Sequence, residues 1–232
     1  MTSFIDSEFG DITVSKRVGA RYIRARVGTD GRLAITMPRF TPLLVAKNFV
    51  SNERTKLRGL LTSQTPVMIY QHGQQVGKSH RIAVVPTGLI RTPNAKIVKQ
   101  SIILTVPHDT NIESAPIQRL LRDNVITALR KEAKAYLPRR LKELAARNGF
   151  TYERVRFSHA GSRWGSCSST GTISLNIALM KVADELIDYV LIHELTHTRN
   201  MNHSPEFWKE VEGLDPAYKL HRKQMKLHTP TI

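Results

Sequence analysis

Cysteine occurs once in the 232 residues, at Cys167. No internal disulfide can form, so nothing ties the fold to an oxidising compartment, and a metal site built from several thiolates is excluded. Long hydrophobic runs are also missing: no stretch approaches the roughly 18 apolar residues that span a bilayer. The opening "MTSFIDSEFGDI" carries acidic groups where a secretory signal has a basic region followed by an apolar one. The expectation is a soluble, cytoplasmic protein with no membrane contact. No internal repeat, low-complexity tract or flexible linker stands out.

Negative charge is scarce. Thirty-five Lys and Arg against 19 Asp and Glu leave a net charge of +16. The excess is uneven: residues 1–110 hold 16 basic against 6 acidic groups, residues 111–160 hold 11 against 5, and residues 161–232 hold 8 of each. A basic front suits nucleic acid or another polyanion, bound through residues 1–160. The plainer alternative is a solvated surface. No recognisable nucleic-acid-binding motif accompanies the charge, and Tyr22 is isolated among the basic residues of 16–26, so the solvated reading is preferred there.

The pattern along the chain is α+β. "DITVSKRV" and "ARYIRARVGTDGRLAITMPRF" alternate in the manner of strands, with a hairpin turn at Asp30-Gly31. From Thr41 to about Leu61 the period becomes helical, with Thr41 as N-cap and Pro42 at the first helical position. Short strands return over residues 66–107. A long helical pattern runs from about Asn111 to Asn148, which Pro138 should kink or split and Gly149 should end. Two strands then flank a Ser/Thr/Gly turn at 168–171, and three helices follow, with Ser204-Pro205 capping the second. The expected division is a basic β-rich region with one helix over 1–110 and a compact module over 111–232. The boundary is soft, and the two can share one core.

The chemistry concentrates in "YVLIHELTHTRNMNHSPEFW", Tyr189 to Trp208. His193, Glu194 and His197 spell H-E-x-x-H. Helical residues four apart lie on one face, offset by about 40° and about 6 Å along the axis. Both imidazoles can therefore reach one ion at about 2.0–2.1 Å, as zinc requires. Glu194 lies too far round to join them as a ligand, but it can reach a water at the metal and act as general base. His203 is the candidate third ligand, against a downstream carboxylate such as Glu206 or Glu210. For His203 to fold back, the helix must end soon after His197. Asn200 tolerates the left-handed conformation such a turn can need. One zinc per chain is expected.

"RWGSC" (Arg163–Cys167), the hairpin after it, the H-E-L-x-H-x5-H-S-x-x-F-W run and the basic tail resemble the YgjP-like metallopeptidases, relatives of the SprT-like and WLM zinc proteases. The resemblance extends through the front half, in "TMPRFTPLLVAKNFV". It implies a minimal zincin-like module, a small sheet plus an active-site helix. It also implies zinc on His193, His197 and His203, Glu194 as catalyst, and a protein or peptide substrate.

In zincins an edge strand above the metal takes an extended peptide by strand addition. Arg163, Trp164 and Gly165 are candidates for that contact, with core packing for Trp164 as the alternative. His159, Arg163 and Tyr218 are candidate oxyanion stabilisers. Phe207 and Trp208 are expected to pack under the metal, and Cys167 to be inert and buried. His72, His80, His108, His221 and His228 show no pairing pattern and read as surface residues. Two other functions compete: a metal-dependent hydrolase of a phosphate or nucleotide substrate, and a nucleic-acid-associated protein with a structural zinc. An intact Glu194 argues against the last, since a structural site needs no base.

Overall fold

A computed structural model describes residues 2–28, 31–62 and 68–232. The chain forms two compact units, Met1–Met68 and Ile69–Ile232. The division expected near residue 110 falls inside the second unit, because the strands before it share a hydrophobic core with the long helix after it. Among the described residues, no helix is long and apolar enough to cross a membrane.

The first unit is a four-stranded sheet with two helices. Its strands are β1 (Thr2–Asp6), β2 (Gly10–Arg17), β3 (Arg24–Val27) and β4 (Leu33–Pro38). They lie in the order β1-β2-β4-β3, with β2 and β4 parallel and the outer pairs antiparallel. Alternation puts Ile12, Val14, Leu33, Ile35 and Met37 on the buried face, where they pack with Ala46, Val50 and Leu57. Those three come from α1 (Leu43–Asn52) and α2 (Arg54–Thr62), which replace the single expected helix. Pro42, not Thr41, is the N-cap of α1. Asp30 of the expected hairpin turn lies outside the described residues. Its neighbour Gly31 has φ +73°, and the Arg32 carbonyl accepts from the Gly28 amide at 2.7 Å.

The second unit starts with β5 (Gln75–Val76), β6 (His80–Pro86), β7 (Asn94–Val98) and β8 (Ser101–Val106), in the order β5-β6-β8-β7. This is the first sheet again. Adding 70 to the residue numbers of β2 and β3, and 69 to those of β4, converts one register into the other: Val14↔Ile35 becomes Val84↔Leu104, and Ala25↔Ile35 becomes Ala95↔Leu104. The chain does contain an internal repeat. It escapes a reading for identities because what the copies share is alternation: Ile12, Val14, Leu33, Ile35 and Met37 match the buried Ile82, Val84, Ile102, Leu104 and Val106.

The second sheet shares its core with α3 (Ala115–Asn148). Ile117, Leu121, Val125, Leu129, Ala133, Leu137, Leu141 and Leu144 form its buried stripe. Pro138 does not split the helix; it removes one backbone donor inside a continuous element. Gly149 ends it at φ +65°, the left-handed C-cap that glycine adopts at low cost.

A three-stranded sheet follows, β9 (Arg154–Ser158), β10 (Gly165–Cys167) and β11 (Thr172–Asn176), in the order β10-β11-β9. β10 and β11 are the expected hairpin, and β9 adds in parallel. A 3₁₀ turn (Ile177–Lys181) leads into α4 (Asp184–Thr196), α5 (Pro205–Leu214) and α6 (Tyr218–Met225).

Three histidines read as surface residues have structural partners. His80 is buried, with Nδ1 2.6 Å from Glu132 of α3. His221 Nδ1 lies 2.8 Å from Asp215, and His72 Nδ1 accepts from the Val84 amide at 3.0 Å. Sequence spacing could not show these pairs, since each partner is supplied by the fold or by a loop.

Candidate metal centre

α4 begins with Asp184 and Glu185, where the helix dipole favours negative charge. It buries Leu186, Ile187, Val190, Leu191 and Leu195. Its rotation is fixed by a bidentate pair: Arg140 of α3 donates from Nε to Asp188 Oδ1 at 2.8 Å and from Nη2 to Oδ2 at 2.6 Å. His193 and Glu194 occupy its last turn, and His197 is its C-cap.

The chain then turns as the motif requires, but not by a left-handed residue. Among the described non-glycine residues only Lys99 has positive φ. The turn is held by side chains instead: Asn200 Nδ2 donates to Glu210 Oε2 at 2.7 Å and Arg199 Nη1 to Oε1 at 2.6 Å. Glu210, an alternative third ligand in the sequence, is thereby occupied. Ser204 caps α5, accepting from the Phe207 amide at 3.5 Å, and leaves His203 just before the helix.

His193, His197 and His203 converge, with their donor atoms all within 4.8 Å of one another. Nε2 of His203 and Nε2 of His193 are 3.1 Å apart. Two ligands of a tetrahedral zinc at about 2.0–2.1 Å would be separated by about 3.3 Å, so this edge fits a small divalent ion. His197 Nδ1 lies 3.0 Å from the Asn200 carbonyl; donating there leaves Nε2 as its free lone pair, the arrangement of a metal ligand oriented by the backbone. Burial pushes His193 down to about 3, helped by His197, His203 and Arg222, so it stays neutral as a ligand must. His203 is also lowered, by burial and then by His197 and Arg222.

Glu194 is 4% exposed, and burial pushes its carboxyl up to about 8 against the pull of Arg163. Its Oε2 is a buried acceptor with no partner among the described residues. Gly165, at the start of β10, faces it. A Cβ there would lie 2.5 Å from Glu194 Oε1 and 2.7 Å from its Cγ, so only glycine allows the strand this close.

Aromatic rings form the floor. Phe207 is fully buried, with its ring centroid 4.6–5.0 Å from all three imidazoles. Trp208 stacks on His203 at 5.6 Å and on Tyr218 at 5.5 Å. Tyr218 therefore stands one ring behind the histidines.

The other expected residues separate. Arg163 is exposed and acts on Glu194 through its charge. Trp164 is half-buried against the core. His159 is not beside the histidines; its Nε2 is buried, and its pKa is lowered by burial and by Arg122 and Arg130 of α3. Cys167 is half-buried, and burial followed by the Glu194 charge raises its pKa.

Two residues went unnoticed in the sequence. Arg222 lies over the Trp208 ring at 4.5 Å and presents its charge to His193 and His203. Asn176, fully buried, donates to the carbonyls of Ala160 at 2.7 Å and Arg163 at 2.9 Å, setting the loop that delivers Arg163. A buried Asn closing a strand was a readable signal; an Arg in a basic tail was not.

The sequence model of a family described as "YgjP-like, metallopeptidase domain" matches residues 21–228. Among solved structures, the metallopeptidase zymogen abylysin of Pyrococcus abyssi is 29% identical over 38% of this chain and 90% of its own, with a TM-score of 0.36. The metallopeptidase zymogen jannalysin of Methanocaldococcus jannaschii is 21% identical over 39% of this chain and 96% of its own, with a TM-score of 0.33. No curated protein matches the chain.

Proposed function

The chain belongs to the YgjP-like metallopeptidase family, and from that premise we propose that it hydrolyses peptide bonds with one zinc held by His193, His197 and His203. The observation that carries the reading is the convergence of those three imidazoles beside a buried glutamate, with the donor atoms within 4.8 Å. Zinc bound there supplies Lewis acidity toward water and the scissile carbonyl. Beside a divalent cation the carboxylate form of Glu194 would be favoured against the effect of burial, and that carboxylate would take the proton of the attacking water and pass it to the departing amine. Phe207 and Trp208 exclude bulk water from the floor and hold the imidazoles in place. An extended peptide adds to β10, the free edge of its sheet, through main-chain hydrogen bonds. Arg163 and Arg222 then stand as cations for developing negative charge on the carbonyl oxygen. The single cysteine suits a reducing compartment, and we place the protein in the cytoplasm.

The same two arginines support a second reading, hydrolysis of a phosphate ester at the same metal. Bound metal and turnover of an unfolded protein, a peptide and a nucleotide separate the readings, measured for the wild type and for Glu194→Gln. The expected result is that Glu194→Gln retains zinc and loses peptide turnover. Unchanged turnover removes Glu194 as base, a wild type without metal removes the site, and turnover of the nucleotide alone selects the second reading.

A further inference from the structure

The first unit repeats the front sheet of the second, and one end of it is rich in arginine. The outer face of the first sheet carries Thr13, Ser15, Ala34 and Thr36 at its centre, with Arg24 and Arg26 along its β3 edge. The pairs Arg17↔Pro38 and Arg24↔Thr36 bring the end of β2, the start of β3 and the end of β4 to one end of the sheet. Arg21 and Tyr22 enter β3 from that end, and Arg39 and Phe40 leave β4 there. Tyr22 is 70% exposed and Phe40 91%. Phe40 is the second aromatic that the linear sequence did not place near Tyr22.

The described carboxylates of the first unit do not neutralise this end. Asp6 and Glu8 pair with Arg54, Asp11 with Arg32, and Glu53 with Lys56. Among the described residues, Arg17, Arg21, Arg24, Arg26 and Arg39 have no carboxylate partner. The repeat supplies an internal control. At matched positions the second sheet has Thr87, Arg91, Asn94, Lys96 and His108, with Thr92 for Tyr22 and Asp109 for Phe40. The same backbone there carries fewer fixed positive charges, one negative charge and no ring at the positions of Tyr22 and Phe40.

We propose that this end of the first sheet binds single-stranded nucleic acid, with phosphates against Arg17, Arg24, Arg26 and Arg39 and bases stacked on Tyr22 and Phe40. Exposed rings between arginines fit unpaired bases, whose faces a duplex hides and an acidic peptide lacks. The small side chains at the centre of the face let a strand lie flat on it. This function is independent of the peptidase site.

The test is polarisation of labelled DNA and RNA single strands of about 16 nucleotides and of the matching duplex, titrated with the full chain at several salt concentrations. The wild type is expected to prefer single strands. Arg24→Gln with Arg26→Gln should lower the slope of log affinity against log salt by about 1.4, roughly 0.7 per phosphate contact. Tyr22→Ala with Phe40→Ala should weaken binding about tenfold or more at unchanged slope. Arg91→Gln with Lys96→Gln in the second sheet should leave affinity unchanged. All these side chains are on the surface, and melting curves together with Arg24→Lys and Arg26→Lys, which should keep the slope, separate lost contacts from lost fold. The proposal fails if no strand binds at about 50 mM salt, if the duplex is preferred, or if the second-sheet variant loses as much as the first. It also fails if the aromatic variant binds like the wild type, which would leave a generic polyanion surface equally served by heparin.

Discussion

The two four-stranded sheets share order, register and buried positions, yet they are put to different use. The second packs into one core with α3, α4 and the three-stranded sheet, and through them helps support the histidines. The first packs with its own α1 and α2 in a separate cluster and carries no histidine. Their hairpins differ in an instructive way. In the second unit a carboxylate on the helix, Glu132, accepts from the amides of Lys78 and Ser79 at 2.7 and 2.9 Å and pairs with His80. In the first unit the carboxylates are on the hairpin, Asp6 and Glu8, and the cations are on the helix, Arg54 and Arg58. Glu8 and Lys78 are matched positions of opposite sign. Backbone pairing is thus conserved by alternation alone, while the polar latch that ties sheet to helix is free to reverse.

The largest expected effect breaks the comparison at its functional end. Glu194→Gln should reduce peptide turnover about 10²–10⁴-fold, with metal content unchanged. Strand addition predicts a companion effect: Gly165→Ala forces a methyl group into Glu194 and should lower turnover as well, whereas a change at Gly31, whose Cβ position is open, should affect only the hairpin. Next come truncations at matched core positions. Leu104→Ala and Ile35→Ala each remove a fully buried side chain and should each cost about 2–5 kcal/mol. Denaturant melts followed by metal binding should separate them. Leu104→Ala should lower the midpoint at which the histidines release metal, and Ile35→Ala should leave that midpoint alone. Equal effects on metal release would mean that the two units unfold as one.

How much of this was legible follows from where each signal resides. The pairing of His193 with His197 was legible because helix periodicity converts spacing directly into direction, and it needs nothing else. His203 was legible because Ser204-Pro205 announces a helix start. The turn between them was misjudged: Asn200 suggested a left-handed residue, but its work is done by its side chain on Glu210, ten residues on. Arg222 and Asn176 act across elements, and sequence spacing has no term for that. The repeat was hidden for a different reason. A two-residue alternation tolerates any apolar residue inside and any polar one outside, so two copies can keep one register with few identities. The domain boundary was misplaced by the same oversight, since both basic strand regions were read as one.

The latches give the smaller effects. Glu132 is 8% exposed at its side chain and His80 4%. Burial pushes the Glu132 carboxyl up, but His80, the Lys78 and Ser79 amides and the Ser79 hydroxyl outweigh it and hold it below the ordinary 4.5. A lowered carboxyl contributes stability that is present above its unfolded value and lost as pH falls through its folded value. The second unit should therefore weaken in acid from about pH 4.5 downward, and Glu132→Ala should flatten that limb of the curve. The same substitution should cost about 1–3 kcal/mol at neutral pH, since it leaves the buried His80 imidazole without its partner.

Glu8→Ala tests the reversed copy and should do least. Glu8 keeps its carboxyl lowered through Arg58 and Arg54, but it does so in water, where salt screens the pair. Its removal should shift the first unit's midpoint slightly at low salt and not at all at high salt, while the Glu132→Ala effect persists in both. The contrast separates sign from burial. If burial decides, the two latches differ in strength however their charges are arranged. If Glu8→Ala proves as costly and as salt-resistant as Glu132→Ala, then the first hairpin is as dry as the second, and the two copies have diverged only in charge.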